Sequence, residues 1–246
     1  MVIMRTDDPR VVAATDAIHR GEVGELTRLL QLHPELANAS IGNGDPADRG
    51  MTRSLLHVVT DWPGHFPRGA ESVAALVGAG ADVDARFTGP HNETPLHWAA
   101  SCDDVAVLDA LLDAGADIEA RGAVIAGGTP MADATAFGQW DAARRLLERG
   151  ASTTMWEASA LGLLDRVAGH FDSAPPPVPD EVTASLWGAC HGGHRDVAEF
   201  LVERGGDLNW VGWDDLTPLD VAQRSEADDV VAWLRSLGAK SAADIG

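Results

Sequence analysis

The feature that most constrains the fold is a unit that opens with Thr-Pro-Leu-His and recurs in altered form along the chain. In its clearest copy, Thr94 can cap a helix whose first residue is Pro95, where proline costs nothing because the first-turn N–H has no partner inside the helix. Apolar residues then recur at the spacing of a second helix, at Val105, Leu108, Leu111 and Leu112. Gly115 ends that helix, so the unit predicts a helix, a turn and a second helix.

The stretch Thr94-Pro-Leu-His-Trp-Ala-Ala, with Leu111-Leu-Asp-Ala-Gly-Ala-Asp-Ile-Glu-Ala, resembles an ankyrin repeat, a unit of about 33 residues with a Thr-Pro-Leu-His-x-Ala signature. The resemblance implies an all-α solenoid of stacked helix-turn-helix units, with short β-hairpin or loop projections and capping repeats at both ends. It also implies that His57 and His97 are structural residues that bond to the adjacent hydroxyl and backbone. It predicts little about the specific function, because such solenoids serve many unrelated tasks.

Related units recur along nearly the whole sequence, with starts near residues 54, 94, 129, 153, 184 and 217. A helical pair at about residues 11–37 precedes them and is interpreted as an N-terminal cap, followed by a loop at residues 42–46. We therefore predict a single domain over residues 1–246. In the unit near 153, Trp156 is placed at the position of the motif His, and Trp187 is placed there in the next. Between these two, residues 172–180 are predicted to be a polyproline-like connector.

The unit near residue 54 carries an insertion at residues 61–69, whose two prolines and two glycines preclude a regular helix. Insertions in solenoids emerge on one face, which is often the binding face. The alternative is that Trp62 and Phe66 cover the end of the helical stack. The sequence leaves both interpretations open.

The chain is strongly acidic, with 38 acidic and 18 basic residues and a net charge of −20. This charge argues against nucleic acid and against anionic membranes as partners, since both bind through Lys and Arg, and it favours a basic partner. The sequence shows neither a signal peptide nor an apolar stretch of about 18 residues that could span a membrane. Cys102 and Cys190 lie three units apart and are predicted to be free thiols in a cytoplasmic protein.

One side of each first helix is the predicted binding face. Trp98 and Cys102 lie one turn apart with Ser101 beside them, and the equivalent positions of the other units are assigned to the same face. With Trp213 at a hairpin tip, the candidate binding residues are Asp61, Trp62, Trp98, Ser101, Cys102, Asp133, Phe137, Glu157, His191 and Trp213. They predict an acidic, Trp-rich concave groove that binds a protein or peptide, basic or aromatic-bearing, because carboxylates and indole faces attract cations. The alternative for these tryptophans is internal packing, above all for Trp156 and Trp187.

A competing hypothesis is a small-molecule or catalytic pocket in the same groove, covered by loops at residues 61–69 and 86–93. The acid–base groups would then be Asp61, Asp133, Glu157 and His191, with pKa values shifted by their surroundings. No nucleophile motif or dinucleotide fingerprint supports a reaction class, and no cofactor is predicted. The pair His191 and His194 has a spacing that two metal ligands could use, but Gly-His is also the family's ordinary turn, so no metal site is predicted.

Overall fold

The computed structural model describes residues 2–43 and 50–245. Internal contacts divide the chain into two compact units, Met1–Ala151 and Ser152–Gly246, which we call the N-terminal unit and the C-terminal unit. Within the described ranges the regular elements are helices, apart from two three-residue strands and isolated bridges, so the predicted all-α fold class is confirmed. The loop predicted at residues 42–46 lies, from residue 44 onward, outside the described residues.

In its described residues, the N-terminal unit has two short strands and four helical pairs. Asp8 caps the first helix by accepting a hydrogen bond from the backbone N–H of Arg10 at 2.9 Å, and Gly21 ends it in the left-handed conformation. In order, the elements are β1 (Val2–Met4), α1 (Pro9–Arg20), α2 (Val23–Leu32), a 3₁₀ helix (Pro34–Asn38), β2 (Ala39–Ile41), α3 (Leu55–Val59), α4 (Gly69–Gly78), α5 (Pro95–Ser101), α6 (Val105–Asp113), α7 (Pro130–Ala136) and α8 (Trp140–Glu148). The strands pair in parallel, with Val2 opposite Ala39.

The motif histidines join neighbouring repeats inside the N-terminal unit. The Thr94 hydroxyl donates to Nδ1 of His97 at 2.9 Å, and the Nε2 of His97 reaches the carbonyl oxygen of Gly128 at 3.4 Å, directly before α7. His57 repeats this arrangement: its Nδ1 lies 2.9 Å from the Ser54 hydroxyl, and its Nε2 lies 3.2 Å from the Glu93 carbonyl. The structural role implied for His57 and His97 is therefore confirmed.

Both helices of each pair contribute buried apolar residues to the core of this unit. On α6, Leu108 and Leu111 are completely buried, as the helical spacing predicted, and α6 packs against both α4 and α8. At the periphery, Arg145 pairs with Asp109 at 2.8 Å, and Arg149 bridges Asp109 to Asp113. These pairs are partly exposed, so they contribute little to stability compared with the buried leucines.

The C-terminal unit consists of three helical pairs with its own buried core. In order, its elements are α9 (Met155–Ala160), α10 (Leu164–Phe171), α11 (Pro179–Gly192), α12 (Arg195–Val202), a 3₁₀ turn (Trp213–Asp215), α13 (Pro218–Arg224), α14 (Asp228–Ser236) and a 3₁₀ turn (Ala242–Asp244). Helix α11 packs against α9, α12 and α13 and is the centre of the unit. It begins at Pro179, so the last residues of the predicted connector belong to a helix, because proline fits the first helical turn.

Candidate binding surfaces of the two units

In the N-terminal unit, the accessible part of the predicted binding face lies at the C-terminal ends of the first helices. Trp62, just beyond α3, is 82% exposed, and Phe137, which caps α7, is 49% exposed. By contrast, Val58 and Asp133, one helical turn earlier in α3 and α7, are fully buried. The exposed face is therefore narrower than the sequence register predicted.

The insertion at residues 61–69 is docked against its neighbours at several points. The Phe66 ring stacks on His19, with centroids 4.4 Å apart. The backbone N–H of His65 donates to Asp104 at 2.7 Å, and the His65 side chain reaches the carbonyl oxygen of Cys102 at 2.9 Å. The covering interpretation thus fits Phe66, whereas Trp62 stands out into solvent.

Three of the predicted contact residues are engaged within the N-terminal unit. Asp61 forms an ion pair with Arg53 and accepts a hydrogen bond from the backbone N–H of Trp62 at 3.1 Å. The Ser101 hydroxyl donates to the carbonyl oxygen of His97 at 3.0 Å, and the Cys102 thiol lies 3.6 Å from the carbonyl oxygen of Thr60. Burial, with the negative charges of two nearby aspartates, raises the pKa of Cys102 to about 11.

Trp98 is half-buried in a polar and aromatic cluster. Its Nε1 donates to a carboxylate oxygen of Glu93 at 2.8 Å. Its ring packs edge-on against His57, with centroids 4.9 Å apart, and at a tilt against Phe87, with centroids 5.5 Å apart. Phe87 comes from the long hairpin segment at residues 86–93. These contacts make Trp98 chiefly a packing residue that holds this hairpin against α5.

Asp133, predicted as a contact or acid–base residue, is fully buried in α7, and neither of its carboxyl oxygens has a partner at hydrogen-bonding distance. Burial and the negative charge of Glu93 raise the pKa of Asp133 to about 8. Its position excludes direct contact with a partner. Glu93, the neighbour that creates this environment, was missed from the sequence, although its place directly before Thr94-Pro95 in the best-matched repeat was visible.

Four indole rings form a continuous cluster in the C-terminal unit. Trp213 packs edge-on against the other three, with ring centroids 5.8 Å from Trp156, 5.2 Å from Trp187 and 5.4 Å from Trp210. Trp213 remains 49% exposed, and the neighbouring Asp214 and Asp215 are exposed as well. We call residues 210–215 the Trp213 tip. It is the part of the C-terminal unit where aromatic and acidic side chains reach solvent together.

Glycine at position 188 makes room for this cluster. A Cβ atom there would lie 3.0 Å from Nε1 of Trp156, so the indole packs directly on the backbone of α11. The Nε1 of Trp156 is buried without a hydrogen-bond partner, whereas the Nε1 of Trp187 donates to the carbonyl oxygen of Leu216 at 3.0 Å. This bond matches that of the motif His97, whose ring nitrogen reaches the carbonyl oxygen of Gly128. Trp187 therefore occupies the position of the motif His, as the sequence predicted.

The predicted register of the unit near residue 153 is wrong by one residue. Thr154, not Thr153, caps α9, so Glu157 and not Trp156 stands at the position of the motif His. The Glu157 carboxylate accepts a hydrogen bond from the backbone N–H of Thr154 at 2.6 Å, which completes a capping box. A carboxylate in the first turn also interacts favourably with the helix dipole. Glu157 is nearly buried, so it does not belong to the accessible binding face.

His191 is also nearly buried. Its ring lies 5.4 Å from that of Trp187, and its Nδ1 lies 3.4 Å from the Ser225 hydroxyl. The sequence predicted His191 on an accessible helix face. In the structure α13 packs against α11, and Ser225, directly after α13, lies against the His191 ring.

Two cavities bear on the pocket hypothesis. In the N-terminal unit a cavity of about 150 Å³ lies between α1, β2 and α3, lined by Val11, Thr15, Ile41, Arg53 and Val58 among others. In the C-terminal unit an open depression of about 410 Å³ is lined by Thr153, Arg166, Gly169 and His170 among others. Asp61, Asp133, Glu157 and His191 line neither. The smaller cavity is below the roughly 300 Å³ of typical ligand sites, and the larger is a surface hollow.

Known proteins resemble this chain in sequence and in fold. A family model of ankyrin repeats in three copies matches residues 67–155. An ankyrin repeat and KH domain-containing protein of Caenorhabditis briggsae is 34% identical over 188 residues, and an ankyrin repeat-containing protein of Schizosaccharomyces pombe is 36% identical over 80 residues. The crystal structure of the human ASB11 ankyrin repeat domain aligns with a TM-score of 0.51 and 18% identity, over 90% of this chain and 96% of that one.

The chain belongs to the ankyrin-repeat family. Its alignments with the two relatives cover 72% and 31% of this chain but only 7% and 39% of the relatives' own lengths. Ankyrin repeats are in general protein–protein interaction modules.

In the described part of the chain, no helix combines the length and the apolar character that a membrane span requires. Within the same residues, no three His, Cys, Asp or Glu side chains come together as metal ligands would.

Proposed function

We propose that this chain is a non-catalytic protein-binding module whose main contact in the C-terminal unit is the Trp213 tip, and that its partner is a basic protein segment. The observation that carries the proposal is the half-exposed Trp213 ring, held edge-on by three other indoles and followed by two exposed aspartates. Tryptophan is a favoured anchor at protein interfaces.

The Trp213 ring is pre-organised for binding. Because Trp156, Trp187 and Trp210 pack around the base of the Trp213 ring, that ring loses little side-chain freedom when a partner covers it. The indole face attracts cations, and Asp215 supplies a carboxylate beside it. Asp214 already binds a guanidinium of this chain, that of Arg224, at 2.6 Å. A basic side chain from a partner would meet the same chemistry.

Charge supports the same class of partner in each unit. The N-terminal unit has 22 acidic and 12 basic residues, and the C-terminal unit has 16 and 6, so each carries a net charge of −10. Such a charge speeds association with a basic partner and disfavours an acidic one. In the N-terminal unit we propose Trp62 and Phe137 as further contacts, since they are its exposed aromatic residues on the predicted face.

The proposal differs from the sequence hypothesis in the source of the negative charge. Asp133 and Glu157 are buried, and Asp61 is paired with Arg53, so the acids first assigned to the groove do not face a partner freely. The surface charge comes instead from exposed acids such as Asp215 and from the net charge of each unit. We also propose a cytoplasmic location, which two free thiols support.

The test is selection of binders from a random peptide library displayed on phage, with the wild-type chain as bait. We expect enrichment of peptides rich in Arg and Lys, with affinity that falls as salt concentration rises. Trp213→Ala should weaken the selected peptides about tenfold or more, as loss of an interface anchor does. Leu237→Ala, which removes a side chain of similar exposure (46%) outside the tip, is the matched control.

Asp215→Lys keeps the ring cluster and reverses one charge, so it separates loss of folding from loss of contact. It should weaken basic peptides while the Trp fluorescence of the cluster stays native. Enrichment of neutral or acidic peptides, or equal binding by wild type, Trp213→Ala and Asp215→Lys, would remove the tip from the proposal.

A further inference from the structure

We propose that Glu93 and Asp133 form a buried acid pair that binds one proton, carried by Asp133, and that this proton keeps the loop at residues 121–128 in place. The site lies wholly inside the N-terminal unit and goes beyond protein binding at the Trp213 tip. Its failure would leave the proposed function untouched.

The surroundings of Asp133 disfavour its charged form. The side chain is completely buried in α7, and neither oxygen has a partner at hydrogen-bonding distance. An ionised carboxylate without donors in a protein interior is costly, because nothing replaces the water it loses. The neutral acid avoids that cost and also avoids repulsion by the nearby Glu93 carboxylate.

Glu93 has the hydrogen-bond donors that Asp133 lacks. One of its carboxylate oxygens accepts from Nε1 of Trp98 at 2.8 Å, and the other accepts from the backbone N–H of Val124 at 3.1 Å. Two donors favour the charged form of a carboxylate. The pair therefore divides its roles, with Glu93 ionised and Asp133 protonated. Burial and the charge of Glu93 raise the pKa of Asp133 to about 8, against a smaller effect of the Ile125 backbone N–H, which lies outside hydrogen-bond geometry.

Other charged groups on the elements around α7 are occupied elsewhere. His97 on α5 is kept neutral, because burial lowers its pKa to about 4. Arg86, in the hairpin segment, donates to the carbonyl oxygens of Asn92 and Arg121. The charged residues of α8 pair with one another and with α6 through Asp141–Arg144, Arg145–Glu148 and Arg145–Asp109. Glu93 is thus the charge that acts on Asp133.

Both acids lie close to the backbone of the loop at residues 121–128. Val124 and Ile125 are both in this loop, are each 37% exposed, and have the two backbone N–H groups that face the acids. Gly122 and Ala123 close the loop on the carbonyl oxygen of Gly128 at 3.0 and 3.1 Å. When Asp133 loses its proton, two negative charges lie side by side in the interior. Val124 lies in a part-exposed loop, so we expect the contact between Glu93 and Val124 to open.

The direct experiment is an NMR titration of the wild-type chain with carboxyl ¹³C labels in Asp and Glu, together with amide-exchange protection of Val124. We expect one Asp carboxyl to titrate near pH 8 and the protection of Val124, corrected for intrinsic exchange, to fall about tenfold between pH 6.5 and 9. An Asp133 carboxyl that titrates below pH 5, or a Val124 protection factor that is constant over this range, would overturn the proposal.

Variants identify the residues. Asp133→Asn should abolish the titration near pH 8 and make Val124 protection independent of pH. Glu93→Gln should move the Asp133 titration to a clearly lower pH, because the like charge is gone. Asp141→Asn, an exposed acid on α8, is the matched control and should change neither readout. Retention of the pH 8 titration in Asp133→Asn would assign it to another group and contradict the pair.

Discussion

The indole Nε1 of Trp187 donates to the carbonyl oxygen of Leu216 at 3.0 Å, directly before the helix-capping Thr217. In the N-terminal unit the Nε2 of His97 reaches the carbonyl oxygen of Gly128, directly before the helix-capping Thr129. A tryptophan and a histidine thus perform the same task, because both direct a ring nitrogen to the carbonyl oxygen directly before the next capping threonine. In the C-terminal unit the larger ring also supports Trp213.

This relationship predicts the cost of changing Trp187. Trp187→Phe keeps most of the ring packing but loses the hydrogen bond, so it should lower the free energy of unfolding by about 1 kcal/mol. Trp187→Ala also leaves a cavity in the core and should cost about 3–5 kcal/mol. Urea unfolding measures both. An equal loss of unfolding free energy in the two variants would contradict separate contributions of the hydrogen bond and the ring packing.

The motif histidines predict loss of stability in acid. Burial lowers the pKa of both His57 and His97 to about 4, from 6.5 when exposed. Between these values the unfolded chain binds more protons than the folded chain, so stability is complete above about pH 6.5 and is lost as pH falls towards 4. His97→Gln should lower the free energy of unfolding at pH 7 but reduce its further loss between pH 6.5 and about 4. If the variant loses as much stability as the wild type over this pH range, the effect belongs to other groups.

Asp133 predicts the opposite trend. Its pKa is raised to about 8 from 3.8, so the folded chain binds the additional proton, and stability is complete below about pH 4 and is lost as pH rises towards 8. Asp133→Asn should therefore gain stability relative to wild type as pH rises from 5 to 8, by more than about 1 kcal/mol, since one pKa unit corresponds to about 1.4 kcal/mol. Denaturant unfolding at several pH values checks this, and a difference that does not change with pH would contradict it.

Two glycines of the C-terminal unit should respond in opposite ways to alanine. A Cβ atom on Gly192 would overlap the carbonyl oxygen of Ala160, which belongs to backbone and cannot turn away, so Gly192→Ala should cost about 1–3 kcal/mol or more. Gly169 lies in α10 with open space around it, so Gly169→Ala should stabilise the fold by about 0.5–1 kcal/mol. Thermal unfolding of the two variants provides the comparison.

The thiols predict slow modification of the native chain. The pKa of Cys102 is raised to about 11, and burial also raises that of Cys190. Because the thiolate is the reactive form, Cys102 should react with a disulfide reagent at pH 8 about a hundredfold more slowly than a free thiol. Cys190 is fully buried and should react only on unfolding. Rapid labelling of two thiols in the absence of denaturant would show that this packing opens in solution.

Much of the scaffold could be predicted because it depends on neighbours in sequence. Thr94 and His97 are three residues apart, so their contact is made within one helical turn, and the apolar spacing that placed Leu108 and Leu111 in the core is equally local. The register near residue 153 could not be predicted in this way. Thr153 and Thr154 are both able to cap a helix, and the Glu157 carboxylate, which bonds to the backbone N–H of Thr154, decided between them.

The sequence by itself determined the repeat class, the helix starts with a Thr-Pro signature, the local bonds of the motif histidines and the negative charge. Only the tertiary structure decided which side chains of the predicted face reach solvent. Trp98 and Asp133 stand at equivalent positions of α5 and α7, yet one is half-buried and the other completely buried. Exposure depends on what the neighbouring loops cover, and helix periodicity contains no information about that. For the same reason, the four tryptophans that form one cluster around Trp213 were visible in the sequence only as separate residues.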